Sequence, residues 1–247
     1  MDGALSFSLI VFLLGTFAAA FVTGLAGFAF GMVAAAIWLH VLAPVQATTL
    51  IVAYALLVQG YAVWKLRRSI NTARLMPFII GSAVGIPVGI VALRWISATH
   101  LRTSVGVLLI LFSAYNLMRP RLPVMKAAGP IADTGIGVLN GVLGGATGLG
   151  GILPTIWSGM RGWPRDEQRA VFQPTAVATF LITLLCLGGL GIVTQEIASL
   201  FLVGLPALGA GTWLGWTFYG RLDEASFRKV VLVLLLLSGL ALVISGK

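Results

Sequence analysis

Charged side chains are scarce in this chain. Only 9% of its 247 residues are Asp, Glu, Lys or Arg, whereas 59% are hydrophobic. A typical soluble domain carries about 25% charged residues. The mean hydropathy is +1.03. This composition excludes an ordinary soluble domain and predicts a chain whose main partner is the lipid bilayer.

Cysteine and histidine are also nearly absent. The single cysteine, Cys186, excludes disulfides within the chain and cysteine-based metal sites. The two histidines, His40 and His100, have no paired carboxylates or nucleophile-and-base spacing beside them. We therefore predict no enzyme, no catalytic residues, no cofactor and no metal.

Acidic residues are the rarest charged class, with seven Asp and Glu against sixteen Lys and Arg. The positive residues lie between apolar runs and form no continuous patch, so nucleic-acid binding is not predicted. Such a bias is typical of cytoplasmic loops in membrane proteins. The basic loops 65–74, 119–126, 161–169 and 221–229 are predicted to face the cytoplasm, from a multi-pass protein of the cell (inner) membrane.

Long apolar runs fill the rest of the chain. Since a spanning helix needs roughly 20 apolar residues, we predict an all-α, polytopic membrane protein with about 8–10 transmembrane segments. The predicted segments are 4–22, 28–42, 45–64, 75–93, 101–118, 131–143, 152–160, 170–193, 198–219 and 230–245. A turn is predicted at 24–27.

Two glycine clusters interrupt these runs. Residues 144–151 hold five glycines in eight residues, and 23–31 form a fainter counterpart. Glycine adopts backbone angles that other residues avoid and leaves its N–H group uncovered. In a membrane, irregular backbone survives only where protein or a polar cavity covers it. We interpret the clusters as breaks in two interrupted or re-entrant helices that face one substrate site. Close packing of small residues is the alternative.

The two halves of the chain correspond at an offset of about 120 residues. Gly27 falls on Gly148 and Pro44 on Pro164. We predict an N-terminal repeat, 1–122, and a C-terminal repeat, 123–247, within one integral membrane transport domain. An odd number of crossings per half inverts the second repeat, as in many secondary transporters.

Polar residues at the breaks are the candidate substrate-binding residues. Helix N-termini offer unpaired N–H groups and a partial positive charge to an anion. Pro174 should kink or open its helix and so free its polar neighbours. The candidate set is Thr23, Gly24, Gly27, Gln59, Thr147, Gly148, Gly150, Gly151, Trp157, Gln173 and Thr175.

Three residues near the second glycine cluster remain open in their interpretation, and one of them, Trp157, belongs to the candidate set. Asn140 lies in the helix that enters the second glycine cluster. Trp157 follows that cluster and fits either an interfacial anchor or a wall of the site. Asp133, the only acid close to a span, fits a helix-start charge, with proton coupling as the alternative.

The glycine motifs resemble those of the TauE/SafE family of sulfite and sulfonate exporters, an anion permease group. The resemblance rests on Gly-Leu-Ala-Gly-Phe-Ala-Phe-Gly at 24–31, on Gly-Ala-Thr-Gly-Leu-Gly-Gly at 145–151, and on the duplicated layout with a basic middle. It implies export of a small sulfur-containing anion, such as sulfoacetate, isethionate, taurine or sulfite, across a bacterial inner membrane.

Two other functions stay open from the residues alone. Moving one charge through 100 mV is worth about 2.3 kcal/mol, so an anion leaves a negative cell without a coupling acid. Uptake of a carboxylate or sulfur anion would need a coupled proton or sodium ion, with Asp133 as the candidate. A non-transporting membrane scaffold is the third function, and a homodimer is the candidate assembly.

Overall fold

Helices are the only regular secondary structure in the residues that the computed structural model of the protein describes, which are 2–26, 29–66, 70–118, 125, 128–218 and 224–245. The ten helices of this part of the chain are α1 (Asp2–Ala26), α2 (Phe30–Trp38), α3 (Pro44–Leu66), α4 (Thr72–Trp95), α5 (Ala98–Met118), α6 (Pro130–Thr147), α7 (Ile152–Met160), α8 (Arg165–Gly189), α9 (Gln195–Phe218) and α10 (Glu224–Ser245). The predicted all-α fold class is confirmed.

Five of these helices are long and apolar enough to cross a membrane. Their spanning segments are Phe7–Leu25, Thr72–Trp95, Ala98–Met118, Asp166–Gly189 and Gln195–Phe218, and a shorter apolar segment covers Lys229–Ile244. The two shortest helices, α2 and α7, have nine residues each. Nine helical residues extend only about 14 Å, less than half the hydrocarbon thickness of a bilayer. Both are therefore half-helices.

Long and short helices follow each other in the same order in both halves of the chain. From α1 to α5 the lengths are 25, 9, 23, 24 and 21 residues. From α6 to α10 they are 18, 9, 25, 24 and 22 residues. The predicted boundary between repeats, at 122–123, lies outside the described residues.

Two predictions about individual helices need correction. The turn predicted at 24–27 starts too early, because α1 continues through Gly24 to Ala26. The opening predicted at Pro174 is wrong, since α8 runs without interruption from Arg165 to Gly189 with that proline inside it. A long helix tolerates one proline when neighbouring groups and small backbone adjustments satisfy the freed carbonyl.

The chain divides into two compact units. One comprises Met1–Tyr54, Ile96–Pro120 and Thr194–Lys247, and the other comprises Ala55–Trp95 and Arg121–Val193. In the first unit α1 packs along α9 and α5 along α10, and in the second α4 packs along α6 and against α8. Each unit therefore draws helices from both halves of the sequence.

Glycines line the contact between α4 and α6 in the second unit. A Cβ atom at Gly137 would lie 2.6 Å from the Phe78 carbonyl oxygen, and one at Gly145 would lie 2.5 Å from that of Ile86. At Gly141 it would collide with the Ser82 carbonyl oxygen. Small residues allow two helix backbones to approach closely where lipid offers no hydrophobic drive for association. This contact fixes α6 directly beside α4.

We expect Gly141→Ala to destabilise the protein by about 1–3 kcal/mol, the usual cost of overpacking, because its methyl group would meet backbone atoms. Gly135→Ala in the same helix is the matched control, since nothing lies within 4 Å of a Cβ there. The control should be neutral or slightly stabilising. Thermal unfolding in detergent measures both variants, and equal stability would contradict the packing assignment.

Candidate functional site

The second glycine cluster breaks the backbone between α6 and α7, as predicted. Gly148 ends α6 in the left-handed conformation, with φ of 73°, and Gly151 precedes α7 with φ of 95°. The Gly148 N–H donates to the Gly144 carbonyl oxygen at 2.8 Å. Positive φ angles favour glycine, so these two glycines permit the chain to leave one helix and start the next.

Four N–H positions at the start of a helix have no partner within it, and at α7 they differ in availability. The Gly151 N–H donates to the Asn140 Oδ1 atom at 2.7 Å. Pro154 has no N–H group, and the Thr155 N–H already donates to the Gly151 carbonyl oxygen. Ile152 and Leu153 therefore hold the two N–H groups that the first turn of α7 leaves available.

The threonine hydroxyl beside this break is already used. Thr147 is 6% exposed, and its Oγ1 donates to the Leu143 carbonyl oxygen at 2.7 Å. The same oxygen accepts from the Leu149 N–H at 3.2 Å. Thr147 thus ends its helix, and the hydroxyl donor that the sequence suggested is not free in this structure.

Helix α8 covers the start of α7. A Cβ at Gly151 would lie 2.7 Å from the Ala176 Cβ, and one at Gly150 would lie 3.0 Å from the Thr179 Cγ2. One turn before Ala176, the Gln173 side chain is 9% exposed, and its Oε1 atom is buried without a hydrogen-bond partner. An unpaired buried polar atom is costly, and because an amide oxygen only accepts, a ligand group that donates a hydrogen bond could satisfy Gln173.

Thr175 and Gln59 are less well suited to ligand binding in this structure. Thr175 is fully buried, and its hydroxyl donates to the Val171 carbonyl oxygen at 2.8 Å. Gln59 is partly buried in α3. Among the residues that the structure describes, no hydrogen bond joins it to the α6–α7 break. Their predicted roles remain predictions.

The first unit contains the matching break, between α1 and α2. Ala29 precedes α2 in the left-handed conformation, with φ of 82° and ψ of 3°. The Thr23 hydroxyl donates to the Ala19 carbonyl oxygen at 2.7 Å. A Cβ at Gly24 would lie 3.0 Å from the Gly215 Cα of α9, so this glycine serves close packing. Gly27 lies outside the described residues.

Trp157 belongs to a polar cluster at the far end of α7. Its Nε1 donates to the Asp133 Oδ1 atom at 2.7 Å. The Arg161 Nη2 atom lies 3.8 Å from the Asp133 Oδ2 atom, and the acid is 6% exposed. Asp133 therefore joins the start of α6 to the end of α7, which fits a structural charge pair.

Asn140 is the central residue that the candidate set missed. It is fully buried, and its Nδ2 atom donates to the Ser82 Oγ at 3.2 Å and to the Thr179 Oγ1 at 3.1 Å. Together with the bond to Gly151, these contacts join α4, α6, α8 and the start of α7. The sequence signal was an amide side chain inside an otherwise apolar, glycine-rich helix.

Comparison with known protein families gives one decisive result. The chain matches the family described as Sulfite exporter TauE/SafE over residues 11–242, nearly its whole length. The chain belongs to the TauE/SafE family. No curated protein and no solved structure matched the chain. As a TauE/SafE member whose described residues include five helices long and apolar enough to cross a membrane, the protein is a multi-pass membrane transporter of the sulfur-anion exporter type.

We expect Ala29→Gly to stabilise the protein by about 1 kcal/mol, because a left-handed conformation costs a residue with a Cβ roughly 1–2 kcal/mol. The matched control is Ala35→Gly within α2, where helix geometry holds and glycine should destabilise by about 0.5–1 kcal/mol. Thermal unfolding distinguishes the two. A loss of stability in both variants would mean that the α1–α2 break does not need positive φ.

Proposed function

We propose that this TauE/SafE protein exports a small sulfur-containing anion by alternating access. The substrate is an organosulfonate, such as sulfoacetate, isethionate or taurine, or sulfite. The observation that carries the proposal is the break before α7, where the N–H groups of Ile152 and Leu153 are available and where the adjoining helix α8 carries the buried, unpaired Oε1 atom of Gln173. The sequence predicts that the segments on both sides of this break, 131–143 and 152–160, lie in the membrane.

The chemistry of the break suits an anion. A helix N-terminus carries roughly half a positive charge and presents backbone N–H donors. A sulfonate has three oxygen atoms that accept hydrogen bonds. Two of them would accept from Ile152 and Leu153, while the hydroxyl group of isethionate or the ammonium group of taurine would donate to the unpaired Gln173 Oε1 atom.

No fixed positive charge is needed for such a site. The sequence from 131 to 160 contains neither Lys nor Arg. A charged side chain at the bilayer centre costs about 2.5–3.5 kcal/mol even on a lenient scale. Neutral donors avoid that cost, and they hold the ligand weakly enough for release, which a transporter requires.

The packing of the helices supports the duplicated architecture that alternating access uses. If α1–α5 correspond to α6–α10, the α4–α6 contact in one unit and the α9–α1 contact in the other are the same pair. Two half-helices also occupy corresponding positions. Discontinuous helices at corresponding places in two repeats are typical of the substrate sites of secondary transporters.

The direction of transport follows from charge and orientation. The basic loops predict a cytoplasmic side, and the membrane potential drives a monovalent anion outward from a cell that is negative inside. Export of an anionic sulfonate such as isethionate across the inner membrane therefore requires no coupling ion.

Gln173→Leu should weaken isethionate binding about tenfold, which corresponds to about 1.4 kcal/mol and to the loss of one hydrogen bond that the Gln173 Oε1 atom accepts from the isethionate hydroxyl group. Gln195→Leu, at an exposed glutamine of α9, is the control and should bind as the wild type does. Calorimetry on purified protein gives the affinities, and efflux of radiolabelled isethionate from liposomes gives the transport rates. Full affinity and full efflux in folded Gln173→Leu would reject its role.

One observation favours coupled uptake as a second candidate function, namely the burial of the Asp133 carboxylate. If Asp133 serves only as a structural partner of Arg161 and Trp157, Asp133→Asn should lower thermal stability yet keep isethionate efflux insensitive to a pH gradient. If it couples protons, wild-type transport should follow the pH gradient and the variant should lose that response. The second result would favour uptake over export.

A further inference from the structure

We propose that Asn140 is the positioning residue of the anion site, a step that rests on the function proposed above. The structural basis is its side chain, which bonds to three different helices around the break and is itself fully buried. Asn140 does not need to touch the anion. It holds the N-cap of α7, so that the next two N–H groups point where the ligand binds.

Only a side chain with a carboxamide group can satisfy the hydrogen-bond partners that surround position 140. The Ser82 hydroxyl donates to the Gly137 carbonyl oxygen at 3.1 Å, and the Thr179 hydroxyl donates to the Thr175 carbonyl oxygen at 2.8 Å. Both hydroxyl oxygens can therefore only accept from position 140. The Gly151 N–H, in contrast, needs an acceptor there.

An asparagine side chain provides two donor hydrogens and one acceptor oxygen, which matches these three demands. Aspartate would retain the acceptor but lose both donors, and an aliphatic residue would lose all three. The carboxamide orientation follows from the same demands, since its oxygen must face the Gly151 N–H and its nitrogen must face the two hydroxyl groups.

The hydrogen bonds of Asn140 also affect which backbone N–H groups at the break remain available. At the break, the Gly148 and Leu149 N–H groups are bonded locally, and the Gly151 N–H is bonded to Asn140. The donors that follow, on Ile152 and Leu153, are left without a helical partner. Because Asn140 is anchored to α4 and α8, a movement of either helix would shift these donors.

Asn140→Asp tests the proposal through the pH dependence of its affinity for isethionate. Isethionate stays fully ionised across the range used, so a change in its affinity with pH reports on the protein. At pH 8 the variant carries an additional negative charge beside the break, and we expect its Kd for isethionate to rise at least tenfold. At pH 5 a protonated carboxyl recovers one donor, so the loss should shrink severalfold. Wild-type affinity should vary much less over the same range.

Asn116→Asp in α5 is the matched control, because it makes the same substitution in the other unit. It should bind isethionate as the wild type does at both pH values. Equal affinity and an equal pH profile in folded Asn140→Asp and in the wild type would overturn the proposal. A lower melting temperature with unchanged affinity would show that Asn140 is merely structural, which also overturns it.

Hydrogen exchange supplies a readout that needs no ligand. In Asn140→Ala, we expect amide exchange in the segment 148–156 to become at least tenfold faster than in wild type, with little change in α2. Unchanged exchange at 148–156 in the folded variant would reject the positioning role. If the wild type binds no sulfonate but this exchange effect appears, the proposed function fails and Asn140 still positions α7.

Discussion

Breaking a helix in a membrane leaves backbone N–H groups that water cannot reach, and each unpaired group costs several kcal/mol. This constraint governs the second unit of the protein. The break between α6 and α7 is stable because its N–H groups find partners on the Gly144 carbonyl, the Thr147 hydroxyl and the Asn140 amide. The Ile152 and Leu153 N–H groups have no partner within α7, and the proposed anion would pair with them.

The packing around the break gives these bonds their geometry. Glycines bring α6 so close to α4 that the Asn140 side chain reaches Ser82, while Gly150 and Gly151 bring the start of α7 against α8. A second cluster, formed by Asp133, Trp157 and Arg161, fixes the other end of α7. The half-helix is thus held at both ends by polar side chains, an arrangement that suits an element whose N-terminus must stay aligned.

The sequence predicted the position of the break well, because glycine and proline act locally. Segment 152–160 coincides with α7, and family membership confirmed the resemblance carried by the glycine motifs. The polar contacts around the break were harder to predict from the sequence. The Thr147 hydroxyl donates a hydrogen bond to a backbone carbonyl oxygen of its own helix, as threonine hydroxyls often do. Gly24 packs against α9 rather than forming a turn. Asn140 meets partners 58 and 39 residues away, which no local pattern encodes.

The most direct test of the account is to locate a bound sulfonate. Crystals grown with 2-bromoethanesulfonate would show the bromine by anomalous scattering and the sulfonate in the electron density. We expect the sulfonate oxygens within hydrogen-bond distance of the Ile152 and Leu153 N–H groups. A sulfonate bound at full occupancy elsewhere, with the first turn of α7 covered by protein alone, would contradict the account.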